Sequence, residues 1–314
     1  MRSFHVLVNA AAGGSSTRQA GASVVRLLRE AGADAVLSVT ESAANACRLA
    51  AHAARLNAVI VAVGGDGTVG SLAGMVVREG GTLGLVPIGR GNDFARQLGV
   101  PSGVPEVVRV LLDGQVKPVD VIDVNGQIVV GSVYAGIDSL TSELVNRAHW
   151  LPSRLQYPFA AIRAIATHRS TRYWICVDGV DRVVEAHTVV VANSGYYGSG
   201  MHVAPTARAD DGLLNVVIIG EAGRLRLLKA LRMAYDGSHV TLDEVTEATG
   251  REITIASVGA LAAYADGDRI GALPVTARML AGPSRCSFPN AVRVGLGLPT
   301  CSSGGSSPPA GRHR

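Results

Sequence analysis

Aromatic side chains make up only 4% of this chain and charged ones 17%, the latter well under the ~25% of an average globular protein. Low charge beside 47% hydrophobic residues points to a fold with a large buried core. Long apolar runs are missing, and none approaches the ~18 residues that span a bilayer. Cysteine is sparse and scattered, at Cys47, Cys176, Cys286 and Cys301, with no C-x-x-C pair. That pattern argues against a disulfide framework and a zinc site, and it favours a reducing cytoplasm. A net charge of +4 and no recognised module argue against a nucleic-acid partner. The N-terminal apolar run is too short for a secretory signal and reads as a first strand. The 314 residues suit one large domain or two of ordinary size, with 297–314 a Gly/Ser/Pro-rich tail expected to be disordered.

What the chain does have is alternation. Up to about residue 122, apolar runs at 4–8, 35–39, 58–63 and 82–86 alternate with helical patterns at 17–31, 42–55 and 69–78. Ser42 stands where an N-cap belongs. Such alternation predicts an α/β domain over 1–122, built on a parallel sheet with helices on both faces. Ligands of these sheets lie beyond the strand C-terminal ends, where Asn9, Thr40, Asp66 and Asp93 fall. From residue 116 the texture changes. An Asn125-Gly126 turn marks a hairpin over 119–130, and helices are expected at 138–148 and 154–167. Short strands follow at 173–177, 182–192, 214–219, 252–256 and 260–265. This predicts an antiparallel, β-rich, sandwich-like second domain over 123–274.

The densest signal is Val63-Gly64-Gly65-Asp66-Gly67-Thr68-Val69, between an apolar strand and a helical pattern. Glycines let main-chain N–H groups approach a polyphosphate, and the helix start adds positive potential. Two glycines alone would make only a tight turn. One βα unit later comes Leu83-Gly84-Leu85-Val86-Pro87-Ile88, then Gly89-Arg90-Gly91-Asn92-Asp93-Phe94-Ala95. Together these resemble the diacylglycerol kinase catalytic-domain family, which usually shows GGDGT followed by P-x-G-T-x-N-D-F/Y-A. The same catalytic fold serves sphingosine and ceramide kinases, with NAD kinase a more distant relation. Val8-Asn9-Ala10-Ala11-Ala12-Gly13 fits the family's first phosphate-side loop, and Thr40-Glu41 the end of its second strand. Tyr134-Ala135-Gly136-Ile137-Asp138 looks like the opening of its second domain, Asn193 to Met201 like its Gly-rich segment, and Asp266-Gly267-Asp268 like its D-G-E/D motif.

The resemblance implies an NAD kinase/diacylglycerol kinase-like first domain, completed by about 275–296, and a lipid-substrate second domain. It also implies ATP and Mg²⁺ as cofactors. Amides around Gly64, Gly65, Gly67 and Thr68 would hold phosphate, and the Thr68 hydroxyl would add a donor. Asn9, Gly13, Thr40, Arg90 and Asn92 complete the expected nucleotide side. Asp66 is expected at the ribose or at metal-bound water, since two anions repel. Asp93 would finish a water-mediated Mg²⁺ shell, because Mg²⁺ keeps several waters and takes one or two carboxylates. Asp266-Gly267-Asp268 read alone is an Asp-Gly hairpin turn; the resemblance makes Asp268 the general base. Glu is commoner there, and Asp reaches about 1.5 Å less.

Asp211 with the Leu213 carbonyl matches a structural metal site of some family members, although an Asp-Asp-Gly turn forms without metal. Asp120 is either part of an acidic network behind the site or an ordinary strand-edge residue. Arg90 departs from the usual Thr, and phosphate contact is the expectation for it.

Between Glu143 and Asp178 there is no acidic residue, while Arg147, Arg154, Arg163, Arg169 and Arg172 mingle with Trp150, Tyr157, Phe159, Tyr173 and Trp174. Such a mixture suits an anionic membrane surface or, equally, a solvated helix face over core aromatics. The expected function is phosphorylation of diacylglycerol, or another lipid alcohol, by a cytoplasmic and peripherally membrane-associated enzyme. A homodimer is left open. The rival readings are a sphingoid-base or ceramide kinase, an NAD kinase, and a catalytically silent lipid-binding protein.

Overall fold

The structure, a computed structural model, describes residues 2–9, 14–89, 91–147, 150–280 and 291–292. The first lobe runs β1 (Ser3–Asn9), α1 (Gly14–Glu30), β2 (Asp34–Thr40), α2 (Ala43–Arg55), β3 (Val59–Gly64), α3 (Asp66–Glu79), β4 (Thr82–Pro87), α4 (Asp93–Gln97), α5 (Val104–Asp113) and β5 (Val116–Lys117). Strands β1 to β4 are parallel in the order β2-β1-β3-β4. The predicted parallel α/β architecture is therefore the one found. Side chains alternate across the sheet. Leu7, Ile60, Ala62, Leu83 and Leu85 pack under α2 and α3, whereas Phe4, Val6, Val8, Val61 and Val63 pack under α1 and α5. On α3 the buried positions Val69, Leu72, Ala73, Val76 and Val77 form one stripe at helical spacing. Ser42 caps α2 by accepting the Asn45 amide at 3.2 Å.

The second lobe runs β6 (Val121–Val124), β7 (Gln127–Val129), β8 (Ser132–Gly136), α6 (Ile137–Arg147), α7 (Ser153–Thr167), β9 (Thr171–Val177), β10 (Val180–Ala192), β11 (Tyr196–Tyr197), β12 (Met201–His202), β13 (Leu214–Gly220), α8 (Arg224–Met233), β14 (Val245–Gly250), β15 (Glu252–Ser257), β16 (Ala262–Ala265), β17 (Asp268–Ala272) and β18 (Val275–Leu280). A last strand, β19 (Ala291–Val292), returns to the first sheet.

The second lobe is antiparallel and sandwich-like, and β10 is its corner. Residues 180–186 of that strand pair with β9, and 188–192 pair with β8, with β13 along the other edge. A register shift between Ala186 and Thr188 marks the changeover, as expected where a bulge re-aims a strand. Val189 and Val191 enter the sandwich core while Val190 and Ala192 enter a second cluster that also contains Ala230 and Ala234. Burial on both faces explains the unbroken apolar run.

One expectation is met only in part. Residues 275–296 were expected to complete the first sheet, but Val275–Leu280 pairs with β15 and β6 in the larger sheet. Only Ala291–Val292, among the described residues, lies beside β4 and β5. The expected disordered tail lies outside the described residues.

Candidate active site

The turn after β3 is shaped by what cannot fit there. Gly64 has the Thr68 side chain where a Cβ would go. A Cβ on Gly89 would come within 2.5 Å of Gly65 Cα, so the β3–α3 and β4–α4 turns pass each other backbone to backbone. Asn92, in the left-handed region at φ 50°, locks the second turn. Its Oδ1 accepts the Gly89 amide at 2.8 Å and its Nδ2 donates to the Gly89 carbonyl at 2.9 Å. Across this junction Asp66 Oδ1 accepts the Phe94 amide at 3.1 Å. Asp66 Oδ2 and Asp93 Oδ2 each lie 3.0 Å from the point a Gly91 Cβ would occupy, so they are at most twice that distance apart.

Asp93 also reaches the other lobe. Its carboxylate accepts the Ser199 amide at 2.9 Å and the Gly200 amide at 2.7 Å, in the loop joining β11 to β12. The third carboxylate is Asp266, in a left-handed turn at φ 48° between β16 and β17. It accepts amides from Val130 at 3.0 Å, Gly131 at 3.1 Å and Ser132 at 2.9 Å. Gly131 must be glycine, since a Cβ there would lie 2.5 Å from Asp266 Oδ1. The neighbouring Gly267 amide donates to the Tyr134 hydroxyl at 3.1 Å. Asp66, Asp93 and Asp266 all line one cavity of about 310 Å³, together with Tyr134, Tyr157, Tyr197, Ser142 and Asn146.

Two of them, Asp93 and Asp266, sit where negative charge is unfavourable. Burial, then the nearby Asp66, pushes the Asp93 carboxyl up to about 6 against the opposing pull of the Ser199 and Gly200 amides. Asp266 is also pushed up to about 6, chiefly by burial, with the three amides opposing and Asp66 adding. Crowded oxygens that resist ionisation fit a hard divalent cation, which would offset both the burial and the repulsion from Asp66. No group of three His, Cys, Asp or Glu side chains is close enough to hold a metal among the described residues. A cation here would therefore take one or two carboxylates and fill its shell with water, the habit of Mg²⁺.

The other expected residues divide. Gly67 lines the cavity. Thr68 is buried, and its amide donates to the Gly65 carbonyl at 3.0 Å, so that N–H is spent inside the turn rather than offered to phosphate. The difference arises because α3 begins at Asp66, three residues before the expected start. Asn9 and Thr40 are register neighbours at the ends of β1 and β2. Thr40 is buried and donates its hydroxyl to the Val8 carbonyl at 3.2 Å. Gly13 and Arg90 lie outside the described residues.

Asp268 is exposed at the start of β17 and is not part of the cavity lining, whereas Gly267 is. Asp211 Oδ1 accepts the Leu213 amide at 3.0 Å, and the buried Asp120 accepts the Gly212 amide at 2.7 Å. That is the bonding of an Asp-Asp-Gly turn. Sequence reasoning missed Asp266 as the amide-enclosed carboxylate, the tyrosines of the cavity and the Ser199–Gly200 amides. The signal for Asp266 was its place before a glycine, where an aspartate tolerates the left-handed region.

Comparison with known proteins places this geometry. Residues 3–124 match the diacylglycerol kinase catalytic domain, and 131–294 match the YegS C-terminal NAD kinase beta sandwich-like domain. A diacylglycerol kinase of Mycobacterium tuberculosis is 30% identical over 286 residues, covering 88% of this chain and 92% of the relative. One from Bacillus subtilis is 26% identical over 281 residues, with 87% and 92% covered. A crystal structure of a Bacillus anthracis diacylglycerol kinase superimposes with a TM-score of 0.68 at 20% identity, covering 90% of this chain and 94% of that one. At that identity the superposition speaks for the fold alone. The two matched domains and the mycobacterial relative together show that this chain belongs to the diacylglycerol kinase and YegS lipid kinase family, and so to the phosphotransferases.

Proposed function

We propose that the protein transfers the γ-phosphoryl group of ATP, with Mg²⁺, to the free hydroxyl of diacylglycerol, giving phosphatidic acid and ADP. The observation that carries this reading is the meeting of Asp66, Asp93 and Asp266 at one cavity beside glycine-bounded turns. The glycine turns leave the Gly67 side of the cavity open to phosphate oxygens, and Asn92 keeps the second turn in place. Mg²⁺, when bound, offsets the phosphate charge that builds towards the leaving group. Asp66 and Asp93 would hold it through its water shell. The lipid hydroxyl oxygen forms the new P–O bond as the bond to ADP breaks, and its proton passes to a carboxylate at the cavity rim. Asp268, next to the lining residue Gly267, is the residue proposed for that role. Arg90 is proposed to contact phosphate, and Arg90→Thr with unchanged KM for ATP and unchanged kcat argues against it.

Helix α7 supports a membrane-surface location for the reaction. Its exposed Leu155, Phe159 and Ile162 follow one another at helical spacing, and Trp150, 72% exposed, packs edge-on against Phe159 with ring centroids 5.8 Å apart. Arg163 and Arg169 are exposed nearby, and Tyr157 of the same helix lines the cavity. Apolar groups seated at the interface with arginines at headgroup level would bring the cavity to its lipid. No helix among the described residues is long and apolar enough to cross a membrane.

The deciding experiment incubates purified protein with labelled ATP, Mg²⁺ and a panel of lipid alcohols and NAD. Labelled phosphatidic acid is expected. Label in NADP, or in another lipid only, overturns the diacylglycerol assignment, and no transfer at all favours a silent binding protein. Vesicle sedimentation tests the surface: binding should rise with anionic lipid and fall with salt, and indifference to both counts against it.

A further inference from the structure

Four phenol rings line the cavity, those of Tyr134, Tyr157, Tyr196 and Tyr197. The Tyr134 hydroxyl takes the Gly267 amide and bonds Ser142 Oγ at 2.9 Å. The Tyr197 hydroxyl bonds the half-buried Asp138 carboxyl. Tyr157 differs. Its hydroxyl donates to Met201 Sδ at 3.9 Å, and a thioether is a weak acceptor. In a desolvated site, an O–H group left on sulfur forgoes most of what an oxygen acceptor would give.

The position of that hydroxyl is closely set. Gly198, at φ 68°, is the residue against it, and a Cβ there would lie 2.6 Å from Tyr157 Oη. The next two residues supply the amides that hold Asp93. A donor with an unfilled preference thus stands beside the loop that fixes one of the site's carboxylates. Around those carboxylates, an uncharged oxygen of a substrate meets repulsion, and a neutral donor is what can orient it. Burial pushes the Tyr157 phenol well above its ordinary range, which keeps it protonated and a donor rather than a base.

We propose that Tyr157 is a substrate-binding residue whose hydroxyl donates to an ester carbonyl of the acceptor lipid, next to the hydroxyl that is phosphorylated. The assignment rests on the kinase reading above and narrows its substrate to glycerolipids with an ester beside the free hydroxyl. A dialkyl ether of the same shape lacks that carbonyl, so the two lipids separate recognition from mere packing.

The test compares wild type, Tyr157→Phe and Met201→Leu on a short-chain diacylglycerol and on its dialkyl ether analogue, each in mixed micelles. For Tyr157→Phe, kcat/KM on the diester should fall about tenfold, as loss of one good hydrogen bond implies. Its kcat/KM on the diether and its KM for ATP should stay within about twofold of wild type. Met201→Leu should match wild type on both lipids. An equal loss on both lipids, or none on the diester, overturns the assignment. So does a Met201→Leu variant that reproduces the loss, since the hydroxyl would then serve only to pack Met201. Wild type inert towards both lipids overturns the kinase reading itself, whereas an active wild type with a non-selective Tyr157→Phe overturns this inference alone.

Discussion

Asp93 Oδ1 accepts the Gly200 amide at 2.7 Å, and this bond ties the first, α/β lobe to the sandwich lobe at the cavity they share. Asn at position 93 keeps one acceptor oxygen but turns an NH₂ towards the second of the two loop amides. The Ser199–Gly200 loop would then shift, and with it the wall of the site. Displacements of about 1 Å near reacting groups cost on the order of 100-fold in rate. Asp93→Asn should therefore lower kcat by at least about that factor while the protein remains folded, as checked by kinase assay beside circular dichroism. A variant within a few-fold of wild type would mean that the lobes are held in register by something else.

The raised carboxyls make stability, and the affinity proposed for Mg²⁺, depend on pH in a defined direction. Asp93 and Asp266 titrate near 6 in the folded protein and in the ordinary aspartate range when unfolded. Between those limits the folded state binds more protons, so the ligand-free fold loses stability as pH rises through the window and regains it as pH falls. Half-buried His168 and buried His239, held below their usual range, act in the opposite sense. The readout is thus a difference: the Tm of wild type relative to Asp93→Asn should increase from pH 7 to pH 5. Mg²⁺ affinity by calorimetry should weaken over the same interval, because protons compete for the same oxygens. A flat Tm difference would mean that Asp93 ionises alike in the folded and unfolded chain.

Much of this was legible in the sequence, and the physical reason is periodicity. Alternating strands and helices, each with one apolar face, could only make a parallel sheet covered on both sides. The glycines of the β3–α3 turn were legible because no other residue fits two backbones so close. What stayed hidden depends on contacts distant in the chain. Asp266 and Asp268 look alike in the string, yet Asp266 is enclosed by amides of residues 130–132 while Asp268 faces solvent. The division of β10 between two pairing partners, and the docking of Val275–Leu280 on β15, likewise follow from tertiary pairing that no local pattern encodes.

Gly67 separates a phosphate cradle from a plain turn. A Cβ there would meet nothing within 4 Å, so the fold itself tolerates alanine. Alanine in a helical turn is, if anything, favourable by about 0.5–1 kcal/mol. Gly67→Ala should keep or slightly raise Tm, yet raise KM for ATP about tenfold, because the methyl group enters the open space proposed for phosphate. Gly131→Ala should do the reverse in stability, lowering Tm by driving its Cβ onto the Asp266 carboxylate. An unchanged KM in Gly67→Ala would leave the turn without a role in holding nucleotide.

The two carboxylates of the Asp266-Gly267-Asp268 turn should fail in different ways. Asp266 satisfies three main-chain amides, so Asp266→Asn removes acceptor capacity from a buried cluster and should lower Tm as well as activity. Asp268 is exposed, and its loss should leave Tm unchanged. If it takes the proton from the lipid hydroxyl, Asp268→Asn should cut kcat by about 10²–10⁴-fold with ATP affinity intact. Asp268→Glu extends the carboxylate by about 1.5 Å and should retain most of the turnover, since the cavity rim lies next to it at Gly267. Nucleotide binding by fluorescence and single-turnover transfer would be measured on the same preparations. Near-normal turnover in Asp268→Asn, with Asp266→Asn inactive but folded, would move the base from the exposed carboxylate to the amide-enclosed one.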